Sequence, residues 1–289
     1  MCAVLVANPP AAARPDSIPV VEPEFEFAAD DFERVRTLIH QRAGIHLQGG
    51  KQAMLYSRLS RRLRETGHRS GASYLEWLER EASPTEWQEF VNCLTTNLTS
   101  FFREAHHFEI LATELKARGN VPIRIWCNAA STGEEPYSIA MTCIESLGAN
   151  PRVRIVASDI DTDVLGVASR GVYGSDARGL TKARLHAHFL RGKAANAGSI
   201  RVKPELARLI DFVPLNLVDA RDSAVEACDI VFCRNVLMYF DPPTQRQVLE
   251  RVHAVMKPTG LLFVGHAENL SESRDLFRLR GQTVYDRCR

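Results

Sequence analysis

The chain has 289 residues, 45% of them hydrophobic and 25% charged, and a formal net charge of +1. That length holds one large or two modest domains with a buried core, and the composition is that of an ordinary soluble globular protein. Near-neutral charge gives no bulk attraction to nucleic acid or anionic membrane. No apolar run reaches the length of about 18 residues that a spanning helix needs, and no basic n-region leads into a full h-region, so a cytoplasmic location without membrane insertion is expected.

Residues 1–23 are rich in Pro and Ala and lack periodicity, which predicts a flexible leader. Four apolar stripes at helical spacing follow: Phe32, Val35, Leu38 and Ile39; Met54, Leu55, Leu59 and Leu63; Tyr74, Leu75 and Leu78; Trp87, Phe90, Val91 and Leu94. Residues 24–95 therefore read as a small all-helical domain and 96–119 as a linker helix. From 120 the pattern changes. IRIWCNAA, RVRIVASD, LIDFVPLN, DIVFCRNV and GLLFVG read as buried strands alternating with helices, and GQTVYDRC as a last strand. That alternation predicts an α/β fold with a doubly wound parallel sheet over 120–289. The polar stretch at about 171–205 is too long for a simple crossover and reads as an inserted subdomain. The seven cysteines are scattered, with no C-x-x-C or paired His motif, which predicts reduced thiols and no structural zinc. His106 and His107 show no third ligand nearby and read as structural.

STGEEPYS at 131–138 joins a strand to a helix. Thr132 with Glu135, or Ser131 with Glu134, fits a capping box, yet capping needs one carboxylate and the turn supplies two. The fingerprint G-x-G-x-x-G is absent, since only Gly133 is present, and a pyrophosphate would be repelled by Glu134. A ligand with an adenosine body and a positive end suits the turn better, and S-adenosylmethionine is such a ligand. Asp159 stands 26 positions after Gly133. An acid about 20 or more residues on reaches a ribose hydroxyl in a dinucleotide-type unit. The alternative for Asp159 is a helix cap, a role Asp161 also fits. Glu135 is assigned the cap and Glu134 the ligand, with the reverse left open.

TTNLTSFFREAHHF (95–108), ASTGEEPYSIAM (130–141), ASDIDTDVL (157–165), FCRNVLMYFD (232–241) and KPTGLLFVGHAENL (257–270) occur in order. Together they resemble the chemotaxis receptor methyltransferases, the CheR family, over essentially all of 25–289. Cys127-Asn128 stands where that family has small residues, and Ala267 where Ser is common. The resemblance implies a Rossmann-like methyltransferase sheet with a helical N-terminal domain and a small inserted β subdomain. It also implies methyl transfer from S-adenosyl-L-methionine to receptor glutamates, giving methyl esters and S-adenosyl-L-homocysteine. By motif match it places Asn97, Thr99, Arg103, Glu134, Asp159, Asn216, Leu217 and the backbone of Cys233, Arg234 and Asn235 around the cofactor. Arg103 and Tyr239 are its candidates for orienting the substrate carboxylate and the reacting methyl.

The run SRLSRRLRETGHR (57–69) offers Arg58, Arg61 and Arg62 either as a solvated basic face or as a docking face for a receptor's acidic helical bundle. In the insert, RGKAANAGSIRVK provides a short strand on which some family members grip a receptor's C-terminal tail by strand addition. A monomer is expected. Two other functions stay open: a methyltransferase of another protein or small molecule, and a cofactor-binding regulator without catalysis. RNA is disfavoured by the near-zero charge and the lack of interleaved basic and aromatic residues.

Overall fold

The computed structural model describes residues 24–219 and 225–289, so the expected leader at 1–23 lies outside the described residues. Helices α1 (Ala29–Ala43), α2 (Gln52–Thr66), α3 (Gly71–Arg80) and α4 (Pro84–Leu94) follow the four apolar stripes. The two shorter ones are capped by side chains: Ser70 Oγ accepts from Ser73 N–H, and Ser83 Oγ from Glu86 N–H, with Pro84 in the first turn. Val35, Ile39, Leu59, Leu63, Tyr74 and Phe90 pack into their common core at zero exposure. Burying such side chains contributes about 1.5–3 kcal/mol each, which is why short helices persist here.

The linker is helical only in α5 (His106–Arg118), correcting the expectation of a helix from 96. Phe102 (φ 52°) and Glu104 (φ 57°) take left-handed backbone, which breaks any helix through 95–105.

The second domain runs β1 (Ile123–Cys127), α6 (Glu134–Leu147), β2 (Val153–Asp159) and α7 (Thr162–Arg170). The insert adds β3 (Val172–Gly174), α8 (Lys182–His188), β4 (Phe189–Arg191), β5 (Ser199–Val202) and α9 (Pro204–Ala207). After it come β6 (Ile210–Pro214), β7 (Cys228–Cys233), α10 (Pro242–Val255), β8 (Met256–Val264), β9 (Phe277–Gly281) and β10 (Val284–Arg287). The large sheet has the order β6-β2-β1-β7-β8-β10-β9; β10 pairs antiparallel with both neighbours, and the pairs from β6 through to β8 are parallel. Central β7 is buried at all six positions, as a strand covered on both faces must be.

From β1 the chain winds first to one side, through β2 and β6, and then to the other, through β7 and β8. The switch point therefore lies between β1 and β7, and a crevice opens beyond their carboxyl ends. The helical domain roofs it. Gly44 ends α1 with φ 69°, and a Cβ there would meet Val218 Cγ1 at 2.7 Å and Thr244 Cγ2 at 2.8 Å. Two residues on, His46 N–H donates to the Tyr239 carbonyl at 2.7 Å. The insert forms a separate antiparallel sheet, β3-β5-β4. Its strand from GSIRVK is the central one, which corrects the expectation that it offers an edge; β3 and β4 are the edges.

Candidate active site

A cleft of about 280 Å³ occupies the switch point under the helical roof. Asn97, Thr99, Arg103, Asp159, Asn216, Leu217, Arg234, Asn235 and Tyr239 all line it, brought from four separate stretches of chain. Two of the sequence candidates do not. Cys233 has no exposed surface and points into the core, where burial pushes its thiol pKa up. Glu134 also lies outside the cleft lining, whereas Glu135 is part of it.

The turn explains that exchange. The N-cap of α6 is Gly133, at φ 100°, and no side chain caps the helix, so neither expected capping box forms. A Cβ on Gly133 would meet Tyr173 Oη at 2.7 Å and Ala168 Cβ at 2.8 Å, so the turn needs glycine. Glu134 opens the helix on the side of the insert and accepts from Thr132 Oγ1 at 2.6 Å. One residue on, Glu135 turns inward, is 7% exposed and pairs with Arg234.

Asp159 lies at the end of β2. Its carboxylate accepts from Ser131 N–H at 2.8 Å and Asp161 N–H at 3.0 Å, while Asp161 takes the helix cap. Burial raises the Asp159 pKa to about 6 against the pull of those donors. Asp161 also accepts from Asn97 Nδ2 and Thr95 Oγ1, each at 2.6 Å, and so ties the linker to the sheet.

Two further carboxylates shape the opposite wall. Arg234 has no exposed side-chain surface; it pairs with Glu135, reaches Glu104 at 3.2 Å and donates to the Arg103 carbonyl at 2.5 Å. Glu104 also accepts from Asn235 Nδ2 at 3.3 Å, and from His266 N–H at 3.1 Å and Nδ1 at 2.8 Å. Burial pushes the Glu104 carboxyl up, but the His266 and Arg234 donors outweigh it and bring it down to about 2. Glu268, 6% exposed, accepts from the N–H groups of Asn235 (2.8 Å), Val236 (2.8 Å), Leu237 (2.7 Å), Met238 (3.4 Å) and Gly265 (2.8 Å). It is a buried carboxyl around which the Asn235–Tyr239 loop is folded, and burial raises its pKa against the pull of those donors. Glu104 (φ 57°), Ser131 (φ 49°) and Asn235 (φ 56°) hold left-handed backbone around one cleft, the placement expected where structure is kept under strain for function.

Asn128 lines the cleft at 2% exposure. Its Oδ1 and Nδ2 meet no partner at hydrogen-bonding distance among the described residues; the neighbouring Cys233 thiol is a weak one. A buried amide left open toward a cleft is a group that a ligand satisfies.

The CheR methyltransferase all-alpha domain matches residues 30–95, and the CheR methyltransferase SAM binding domain matches residues 97–285. The chain belongs to the CheR methyltransferase family. It is 50% identical over 256 residues to the chemotaxis protein methyltransferase of Escherichia coli K12, covering 88% of this chain and 89% of that one. Chemotaxis protein methyltransferase 2 of Pseudomonas aeruginosa is 50% identical over 266 residues, covering 91% and 94%. The protein of Klebsiella aerogenes is 51% identical over 258 residues, covering 88% of each chain. The α/β fold with its helical domain, the S-adenosylmethionine cofactor and a methyltransferase activity in chemotaxis follow from that membership. Asn128 and Asp159 fit the cofactor: an open amide and a hydroxyl acceptor in one crevice.

The basic helix of this CheR-family chain is not a free docking face. Arg58 donates to the carbonyls of Leu94 and Thr95 at 2.7 Å each and to Thr96 Oγ1 at 3.1 Å, holding the linker on α2. Arg62 is 12% exposed and bound by Glu65, Glu86 and Glu89. The face expected from Arg58, Arg61 and Arg62 is thus corrected: only Arg61, 76% exposed and paired with Glu65, projects into solvent. Helical periodicity shows which residues share a face, not which acids meet them. Arg58→Ala is expected to cost about 1–3 kcal/mol for its lost charged hydrogen bonds. Arg61→Gln should stay within about 0.5 kcal/mol. Urea unfolding of the two variants measures the difference.

Glu104, His106 and His107 bring ligand atoms within 4.8 Å of one another, which corrects the expectation that no third group lies near the histidine pair. Glu104 is nonetheless engaged by Arg234, Asn235 and His266, and burial brings the His107 pKa down to about 4. Glu104, Asn128, Glu135 and Glu268 were not assigned to the site from sequence. Two of them carried a signal: Asn128 as a departure from the family pattern, and Glu135 as the second acid of STGEEPYS, whose exchange with Glu134 the sequence left open.

Proposed function

We propose that this protein transfers the methyl group of S-adenosylmethionine to glutamate side chains on the cytoplasmic helical bundle of chemoreceptors, forming glutamyl methyl esters. It acts in the cytoplasm as a monomer. The observation that carries the reading is the shared placement of Arg103 and Tyr239 in a cleft with Asp159 and Glu135.

A bound S-adenosylmethionine supplies an electrophilic methyl on a positive sulfur, and its own leaving group. Asp159, held by backbone donors at the end of β2, would accept from the ribose hydroxyls of the bound cofactor. Asn97, Thr99, Asn216, Leu217, Arg234 and Asn235 complete the cofactor wall, and Glu135 takes the place beside it first given to Glu134. Asn216 is pre-set for this: its Nδ2 donates to the Arg42 carbonyl at 2.7 Å and its Oδ1 accepts from Val218 N–H at 3.1 Å.

The acceptor glutamate is already ionised at neutral pH, so its attack needs no general base. What remains is positioning, for which oriented reactions gain about 7–11 kcal/mol. Arg103 Nη1 donates to the Leu98 carbonyl at 2.9 Å. That bond fixes the guanidinium and leaves other donors of its fork to orient a carboxylate. Orientation without a tight clamp preserves the nucleophile, and the Tyr239 phenol borders the same space.

Incubation with methyl-labelled S-adenosylmethionine and a chemoreceptor cytoplasmic fragment tests the reading. Methanol released by alkali in proportion to label is expected. Label that resists alkali, or no label on a receptor that accepts methyl groups from a related enzyme, overturns it in favour of another acceptor or a non-catalytic role.

The Asp159 assignment has a pH signature. A carboxyl whose folded pKa is raised to about 6 is neutral below that value, so the hydroxyl acceptor is lost as pH falls. By the same linkage the folded protein holds the extra proton between about pH 4 and 6, and raising pH through that window lowers stability. Affinity for S-adenosylhomocysteine, measured by calorimetry, should be flat above pH 7 and weaken about tenfold by pH 5. Asp159→Asn should flatten that profile.

A second contact, with a receptor's C-terminal tail peptide, is favoured by the insert. Val172 on β3, Arg201 on β5 and Leu190 on β4 lie in register across its sheet and are all exposed. An apolar–basic–apolar row between two free edges suits an extended peptide with mixed acidic and apolar side chains.

A further inference from the structure

Two large apolar side chains stand exposed at the cleft. Leu98 is 79% exposed and Met238 58% exposed, and both belong to the cleft lining. A single exposed apolar residue needs no explanation, but two on one rim do. They also sit on the two segments that carry Arg103 and Tyr239.

Neither is exposed through looseness. Leu98 follows Asn97, whose Nδ2 is held by Asp161 at 2.6 Å and whose carbonyl accepts from Ser131 Oγ at 3.0 Å. The Leu98 carbonyl itself is bound by Arg103. Met238 lies between buried Leu237 and Tyr239, whose carbonyl is held by His46 N–H. The Leu237 and Met238 N–H groups both point at Glu268. Polar anchors on either side therefore fix the backbone, and the two side chains are held outward. Apolar surface kept in water is unfavourable, and a partner that covers it gains from doing so.

The geometry of the acceptor supplies that partner. A glutamate side chain is short, so a helix bearing it must press on the cleft mouth to bring the carboxylate to Arg103 and Tyr239. Residues three and four positions away share that face of the helix and meet the rim. We propose that Leu98 and Met238 form an apolar rim that selects methyl-accepting glutamates with an apolar residue one helical turn away. The inference rests on the reading of the protein as a receptor glutamate methyltransferase. It adds a sequence preference set by the cleft mouth rather than by basic residues.

The test uses the full-length protein and a chemoreceptor cytoplasmic fragment reduced to one methyl-accepting glutamate. The positions three and four residues on either side are made methionine in one version and glutamine in another, residues of similar length and helix propensity. The wild type is expected to prefer the methionine version by about tenfold in kcat/KM. In Leu98→Ser/Met238→Ser the preference should shrink to within about twofold, through loss on the methionine version. The melting temperature, read by calorimetry, should stay within about 2 °C of wild type, since exposed substitutions leave the fold intact. A preference that survives the double substitution, or no preference in the wild type, overturns the rim. If neither fragment yields alkali-released methanol, the glutamate reading fails. Fragment affinities for the product-loaded protein then decide the rim: a preference removed by the double substitution supports it, and equal affinities overturn it.

Discussion

Arg234→Met is expected to lower stability by about 3–5 kcal/mol, the cost of leaving buried charges without their partner. Arg234 has no exposed side-chain surface and stands between Glu135 and Glu104, each with 9% side-chain exposure. Methionine replaces the bulk but not the charge, so two carboxylates remain facing each other in a desolvated wall. At about 2–4 °C per kcal/mol for a chain of this size, a melting temperature lower by about 6–20 °C is expected in calorimetry. The partial remedy is equally specific. Adding Glu135→Gln to Arg234→Met removes one of the stranded charges, and the double variant should recover about 1 kcal/mol or more relative to the single one. Strict additivity would show that Arg234 acts independently of Glu135. Activity should fall further than stability, because Arg234 also holds the carbonyl of Arg103.

Glu268→Gln is expected to reduce kcat about 100-fold with a much smaller effect on folding. The wild-type carboxylate accepts five backbone N–H groups from Asn235 to Met238 and Gly265. Glutamine keeps one acceptor oxygen and turns an NH₂ group toward the remaining donors, so the loop shifts rather than unfolds. That loop presents Asn235 and Tyr239 to the cleft, and a misplacement of about 1 Å at a reacting centre costs about 100-fold. The neighbouring chain leaves no slack, since a Cβ on Gly265 would meet Asn235 Nδ2 at 2.5 Å. Steady-state methylation with thermal melting measures both effects. A kcat within about threefold of wild type would mean that the loop holds its shape without the full carboxylate.

The helical domain was legible because its apolar stripes repeat at helical spacing over whole elements, and α1 to α4 fall on those stripes. The parallel sheet was legible for a similar reason: strands buried on both faces read as continuous apolar runs. The linker was misread because an apolar pattern in 101–108 carries no mark of left-handed backbone at Phe102 and Glu104. The Arg58–Arg62 face was misread because much of what holds it lies far off in sequence: Glu86 and Glu89 on another helix for Arg62, and the Leu94 and Thr95 carbonyls for Arg58.

The cleft divides along the same line. Motifs in three stretches named Asn97, Arg103, Asp159, Arg234, Asn235 and Tyr239, because residue type and order are properties of the chain itself. The turn STGEEPYS could supply two acids but not say which one entered the crevice. Gly133 at φ 100° decided that by sending Glu135 inward to Arg234 and leaving Glu134 on the side of the insert. Glu104 and Glu268 followed the same rule: most of the donors that hold each lie 30 or more residues away, which periodicity cannot register. The sequence by itself determined the layers, the family and the chemistry of the cofactor, since these rest on local pattern and residue type. The tertiary structure alone decided which charges are buried together and which remain free, since desolvation and pairing depend on neighbours that only folding brings within a few ångströms.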